Sequence, residues 1–248
     1  MLEKILEYER ALFLMLNNAH CPFGDQFMWL FTTTITWIPT VVCFIFVLFY
    51  ANRTRWKEMM LTLGAIILVI ILCDQFSSGF CKPFFARFRP THHPDFMNDV
   101  ITVFDYRGGK YGFISSHAAN GFGFATVTSL IFRNKFYSIC LFLWAATTAY
   151  SRIYLGVHFI SDIIPGILTG LFFGWIGYKL FVFAHNKLFV RPKTMPDHDP
   201  MPSAGKTNYF YNGLTITLSM LLATVFLFVV IGILYAYQLI PAITLKLH

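Results

Sequence analysis

QFMWLFTTTITWIPTVVCFIFVLFYAN, residues 26–52, runs 27 positions without an Asp, Glu, Lys or Arg. A helix needs about 20 predominantly apolar residues to cross the hydrocarbon of a bilayer, so this stretch is long enough with room to tilt. Its reading decides the class of the chain, because the same pattern recurs near 59–80, 112–132, 136–154, 159–184 and 213–239. The expected fold is all-α: an integral membrane bundle of six transmembrane helices, forming one domain over residues 1–248.

Composition agrees. The 248 residues are 56% hydrophobic and 19% aromatic, with 29 phenylalanines and only 12% charged residues. Soluble domains carry about 25% charged residues, so lipid rather than water is the main solvent here. The net charge of +7 is then a matter of membrane topology, and no nucleic-acid partner is expected. Cys21, Cys43, Cys73, Cys81 and Cys140 show neither CxxC nor metal spacing, which argues against a disulfide framework. The N-terminal MLEKILEYERALFLMLNNAH interleaves Glu3, Lys4, Glu7, Glu9 and Arg10 with Leu, Ile and Phe. That is the pattern of an amphipathic interfacial helix, not of a signal peptide.

Loop charge orients the bundle. The loops 52–58, 133–135 and 179–212 hold Arg53, Arg55, Lys57, Arg133, Lys135, Lys179, Lys187, Arg191, Lys193 and Lys206. The opposite side holds nine basic residues, four of which (Lys82, Arg87, Arg89, Arg152) sit in the polar clusters discussed next. Excess Lys and Arg marks the cytoplasmic side. Both termini, the 81–111 loop and the stretch around His158 are therefore expected outside. The segment 185–212, with RPKTMPDHDPMPSAGK, reads as a Pro-rich loop.

Against this apolar background three polar clusters stand out, since a charge in the membrane is costly unless it is paired or functional. In CKPFFARFRP, Pro83 suits the first turn of a short helix and Pro90 its stop, which would put Lys82 and Arg89 two turns apart on one face. A single such cation is more often one that snorkels to the membrane edge. In YGFISSHAANG, Ser115 and Ser116 stand at a helix start, where free N–H groups favour an anion, and His117 follows in the first turn. In YSRIYLGVHFISDI, Arg152 ends one span, while His158 and Asp162 have the four-residue spacing of neighbours on a helical face. A carboxylate there fixes the imidazole tautomer and leaves the other nitrogen as nucleophile or base. Asp74, two turns before Lys82, is a further intramembrane acid that could pair with one of the cations.

Cations and a helix N-terminus describe a phosphate cradle; His158 with Asp162 describes an activated nucleophile; His117 is left as general acid. No metal or other cofactor is required by this inventory. Lys82-x6-Arg89-Pro90, Ser115-Ser116-His117 and Ser151-Arg152-x5-His158-x3-Asp162 together resemble the three motifs of the type 2 phosphatidic acid phosphatase superfamily, which also contains the vanadium haloperoxidases. The pattern covers residues 82–162. The second motif departs from the usual Pro-Ser-Gly-His at Ile114 and Ser116. The resemblance implies a phosphohistidine formed on His158, leaving-group protonation by His117, and phosphate contacts from Lys82, Arg89, Ser115 and Arg152, with Ser116 beside them.

The expected activity is metal-independent hydrolysis of a lipid phosphomonoester or pyrophosphate at the extracytoplasmic face, with a bacterial inner membrane as the expected location. Candidate substrates are a polyprenyl diphosphate, a lipid A phosphate, phosphatidylglycerol phosphate and phosphatidate. Beyond lipid and membrane no obligate protein partner is expected. The alternative is a lipid-phosphate binding or transport protein using the same basic pocket, although the duplicated halves common in transporters are absent from the sequence.

Overall fold

The computed structural model describes residues 2–50, 55–189 and 208–245. Arg53, Arg191, Lys193 and Lys206, and with them most of the Pro-rich loop, lie outside the described residues. Among the described residues the regular structure is helical, apart from one isolated bridge between Phe88 and Tyr111 in the long loop before α6. Helix α1 covers Leu2–Asn17, α2 Pro22–Thr32, α3 Ile38–Tyr50 and α4 Trp56–Asp74. A π-helical stretch, Gln75–Cys81, leads from α4 into the single turn α5, Lys82–Phe85. Then come α6 (Ser116–Phe132), α7 (Lys135–Tyr154), α8 (Ile160–Phe189) and α9 (Asn208–Ala236).

The charge-free stretch at 26–52 is not one straight helix. It breaks after Thr32 and turns by 71° into α3. Thr33 is extended; its own N–H still reaches Trp29 O at 3.2 Å, and the hydroxyls and indole around the break bond the last carbonyls of α2. Thr33 Oγ1 donates to Trp29 O at 2.6 Å, Thr36 Oγ1 to Leu30 O at 2.8 Å and Trp37 Nε1 to Phe31 O at 2.8 Å. Pro39, lacking an N–H, then sits harmlessly in the first turn of α3.

Among the described residues three helical runs are long and apolar enough to cross a membrane, Trp56–Phe85, Ile160–Phe189 and Ile216–Ala236, or four if the bent pair α2–α3 is one span. The expected six are thus not all met. Helix α6 has 17 residues, and its sequence SHAANGFGFATVTSLIF mixes small and hydroxylic side chains that face protein rather than lipid. Helix α7 carries Ser138, Thr147, Thr148, Ser151 and Arg152.

Helix α6 is the centre of the bundle and packs most extensively on α8. Gly166, Gly170 and Gly174 make this possible: a β-carbon at Gly166 would lie 2.8 Å from Ser115 O, and one at Gly174 would lie 2.6 Å from Thr126 Cβ. Small-residue stripes let helix backbones approach where lipid supplies no hydrophobic drive. Around this pair a core of Val69, Cys73, Ala119, Ala125, Val127 and Ala145 is closed by edge-on aromatics such as Trp37 with Trp144 and Phe228.

Helix α1 does more than lie at an interface. Its outer side exposes Ile5, Tyr8, Leu12 and Met15, as expected of an amphipathic helix, while Phe13 and Asn17 are fully buried. Phe13 packs on Phe96 and Phe159. Asn17 Nδ2 donates to Tyr154 O at 2.9 Å and to Ile153 O at 3.3 Å, capping the end of α7, while its Oδ1 accepts from Ile101 N at 2.9 Å.

Candidate active site

Lys82, Arg89, Ser115, Ser116, His117, Arg152, His158 and Asp162 come together at one end of the bundle, although they issue from three separate stretches of chain. Lys82 and Arg89 do not share a helical face. Helix α5 stops at Phe85 because Ala86 takes the left-handed conformation (φ 43°), and Arg89 arrives on extended chain, its N–H bonded to Lys110 O at 3.1 Å. The π turn sets Lys82: its N–H donates to Ser77 O, five residues back, and its Nζ donates to Ser78 Oγ at 3.0 Å and to Ser116 Oγ at 2.6 Å. Wide turns of this kind recur at functional sites. Ser78 also reaches Asp74 Oδ1 at 3.3 Å, so Asp74 meets the lysine through a serine rather than directly.

The second cluster folds as read. Ser115 is the N-cap of α6, its Oγ accepting from Ala118 N at 3.4 Å. Its own N–H donates to Asp162 O at 3.0 Å, which stitches the start of α6 to the start of α8. Ser116 uses its hydroxyl to hold Lys82. His117, in the same first turn, lies within electrostatic reach of Arg152, Arg89, Lys82 and His158.

In the third cluster the geometry differs from the simple helical picture. His158 precedes α8, in the loop 155–159, so the pair is not on a shared helical face. Gly156 makes the tight turn out of α7 with φ +75°, where a β-carbon would sit 2.6 Å from Val100 Cγ1 and 2.9 Å from Ile101 O. His158 Nδ1 then stands 3.6 Å from Asp162 Oδ2, an ion-pair distance but longer than a hydrogen bond. The other nitrogen, Nε2, lies 3.3 Å from Arg89 Nη1. Asp162 Oδ2 accepts from Phe159 N at 3.0 Å. Gly112 packs flat against the group: a β-carbon there would stand 3.1 Å from Asp162 Oδ2 and 3.5 Å from His158 Nδ1.

These side chains are buried: Arg152 and His158 are 1% exposed and Asp162 0%. Burial, and behind it the charges of Arg89, Arg152 and Lys82, holds the His158 imidazole well below the usual histidine range. The ring is therefore neutral at neutral pH, with a lone pair to use. Arg89 is pushed down to about 10 by burial and by Arg152, and stays cationic. Arg152 Nη1 donates to Thr32 Oγ1 at 2.8 Å, and its guanidinium lies 5.8 Å from the Tyr106 ring centroid. Arg152 Nε and His158 Nδ1 are buried without a hydrogen-bond partner among the described residues.

Sequence reasoning missed several contributors. Thr32 and Tyr106 hold Arg152, and the break in the apolar run at Thr32–Thr33–Thr34 was the only signal for the first. Tyr106 and Phe96 could be taken for interfacial rings; instead Tyr106 stacks edge-on to Trp29 and Phe96 is buried against Phe13 and Phe159, while Phe84 and Phe85 are exposed. Arg87, to which the motifs give no role, donates through Nη1 to Asp162 Oδ1 at 2.7 Å and through Nη2 to Glu9 Oε2 at 2.9 Å.

Residues 60–186 match the PAP2 superfamily. The chain is 52% identical over 186 residues to a lipid A 4'-phosphatase of Porphyromonas gingivalis, covering 75% of this chain and 78% of that protein. A lipid A 4'-phosphatase of Bacteroides thetaiotaomicron is 35% identical, over 83% of this chain and 88% of its own length. The crystal structure of a transmembrane PAP2-type phosphatidylglycerolphosphate phosphatase from Bacillus subtilis superposes with a TM-score of 0.54 over 76% of this chain and 90% of that one; at 21% identity this is a likeness of fold. With a helical body built for lipid and the three motifs gathered at its end, the chain belongs to the PAP2 superfamily and is an integral membrane phosphatase.

Proposed function

We propose that the protein removes a phosphate from lipid A, acting at the extracytoplasmic face of a bacterial inner membrane through a phosphohistidine on His158. The substrate reading rests on the 52% identity to a lipid A 4'-phosphatase over three quarters of the chain. The mechanistic reading rests on one observation: a buried neutral imidazole whose Nε2 faces Arg89 while its Nδ1 faces Asp162.

Lys82, Arg89 and Arg152 hold the phosphate oxygens, with the Ser115 and Ser116 end of α6 as a further source of N–H donors. His158 Nε2 attacks phosphorus, and Asp162 steadies the Nδ1 proton and the positive charge that grows on the ring. The bond from phosphorus to the sugar oxygen breaks, and His117, which has to enter this step as the imidazolium, gives that oxygen its proton and becomes neutral. Water, deprotonated by His117, then attacks the phosphohistidine; inorganic phosphate leaves and both histidines return to their starting states.

We further propose that α6 and α7 also cross the bilayer, for six crossings in all, with the site outside. Helix α6 begins and α7 ends beside the site, and they are joined at the far end by a short turn at Arg133 and Asn134. Protein side chains rather than lipid surround α6, so it has less need of uniform hydropathy.

The test is release of phosphate from purified lipid A in detergent, followed by mass spectrometry, beside phosphatidate, phosphatidylglycerol phosphate and a polyprenyl diphosphate. Loss of one phosphate from lipid A, with an acid-labile phosphoenzyme absent in His158→Ala, is expected. An enzyme that leaves lipid A intact while cleaving another of these lipids refutes the substrate.

A further inference from the structure

Glu9 lies on α1, outside the three motifs and 78 residues from Arg87, yet it is 13% exposed and fully engaged. Its Oε2 accepts from Arg87 Nη2 at 2.9 Å. Its Oε1 accepts from Ser161 N at 3.1 Å and also from the Ser161 hydroxyl. Ser161 is the second residue of α8, so Glu9 satisfies an unpaired N–H at that helix start and puts a negative charge where the dipole favours one. Arg87, lying 4.8 Å from the Phe159 ring centroid, gives Nη2 to Glu9, while Nη1 donates to Asp162 Oδ1 at 2.7 Å and also to the Ser161 hydroxyl. Asp162 thereby has one oxygen fixed by Arg87 and the other shared between Phe159 N and the face of His158.

We propose that Glu9 is a positioning residue for the phosphatase reaction: through Arg87 and Ser161 it fixes the start of α8 and sets how much of the Arg87 charge falls on Asp162. The inference rests on the reading of Asp162 as the group that orients His158. Without the Glu9 carboxylate, Arg87 retains a full charge beside Asp162, and its other nitrogen is free to follow. A carboxylate drawn toward Arg87 is a weaker acceptor for the imidazole, whose Nδ1 already stands 3.6 Å away. The effect falls on turnover rather than binding, because Glu9 touches neither Lys82, Arg89 nor Arg152. It acts only through Ser161, in the first turn of α8, and Arg87, in the chain before Arg89.

Four proteins test this: wild type, Glu9→Gln, Asp162→Asn and the double variant, each assayed for phosphate release from lipid A in detergent. Glu9→Gln is expected to lower kcat by about tenfold, the size of a typical coupling between contacting residues, with KM within about twofold. In the Asp162→Asn background the same change should have no further effect, because the group it acts on is gone. Thermal midpoints of all four proteins show whether they fold, and Glu9→Asp, which keeps the charge, should recover part of kcat. Wild-type turnover by Glu9→Gln while Asp162→Asn is slow overturns the role of Glu9. A full tenfold loss repeated in the Asp162→Asn background overturns it too, since an additive loss marks general loosening. Wild-type turnover by Asp162→Asn itself refutes the orienting role of Asp162, and the route from Glu9 falls with it.

Discussion

Lys82 Nζ lies 2.6 Å from Ser116 Oγ, so the hydroxyl that stands where the family motif usually has glycine aims the lysine together with Ser78. A hydrogen bond to a charged group is worth roughly 1.5–3 kcal/mol, but here phosphate takes over part of it once bound. Ser116→Ala should therefore lower kcat/KM by only about tenfold. Wild-type kinetics would show that Lys82 finds the phosphate unaided.

His158→Ala removes the proposed nucleophile and should abolish turnover while the protein stays folded. His117→Ala should cost several orders of magnitude on a sugar phosphate and less on a diphosphate lipid, whose leaving group needs less protonation. Equal losses on both classes would take leaving-group protonation away from His117.

The acid limb of the pH profile follows from the surroundings of His158. Arg89, Arg152, Lys82 and His117 all disfavour a second proton on its ring, as does burial, against the single nearby carboxylate of Asp162. A lowered value means that Nε2 keeps its lone pair as pH falls through the usual histidine value of about 6.5. The limb of the free-enzyme kcat/KM profile that reports loss of the His158 lone pair should accordingly have its midpoint below about 6.5. A midpoint above 6.5 would place a proton on His158 that the surrounding charges forbid.

Gly156→Ala should be the most damaging of the small changes. It asks a side chain to adopt φ +75° and to occupy space 2.6 Å from Val100 Cγ1. The backbone alone costs on the order of 1–3 kcal/mol, and the overlap adds to it. A thermal midpoint several degrees lower, together with lost activity, is expected; wild-type values would mean that the 155–159 turn tolerates rearrangement.

Phe84 and Phe85 are exposed beside Lys82, on a helix end that continues from the membrane run Trp56–Phe85. A lipid can thus present its phosphate with its chains still in the bilayer, and each CH₂ kept there spares about 0.8 kcal/mol of exposure to water. Catalytic efficiency should be far higher on long-chain lipid phosphates than on short soluble ones with the same headgroup, measured in one nanodisc preparation. Equal efficiency would refute lateral access.

What the sequence revealed depended on distance along it. The spacing within 115–117 and within 152–162 is local, so the capping serine, the closing arginine and the His158–Asp162 pairing could be read before any fold was known. Even there, Gly156 moved His158 off the helix, and a separation of 3.6 Å replaced a helical neighbour contact. The seven-residue interval from Lys82 to Arg89 misled, because Ala86 ends the helix in a conformation that an alanine does not announce. The 71° bend was hidden for the opposite reason: threonine hydroxyls and an indole satisfy the broken backbone without leaving a charge or a glycine as a mark. The contacts Glu9–Arg87 and Thr32–Arg152 span 78 and 120 residues, and no periodicity reports them.

Asn17, which caps the end of α7, and Thr32, which holds Arg152, both lie before residue 60, where the superfamily match begins. The first fifty residues are accordingly not a leader attached to a self-sufficient catalytic unit. A segment 60–186 grafted behind a foreign N-terminus would keep all three motifs and still lack the donors and acceptors that seat Arg152 and the His158 loop. A side chain that replaces Arg152, or a rebuilt His158 loop, has to fit residues that no motif contains.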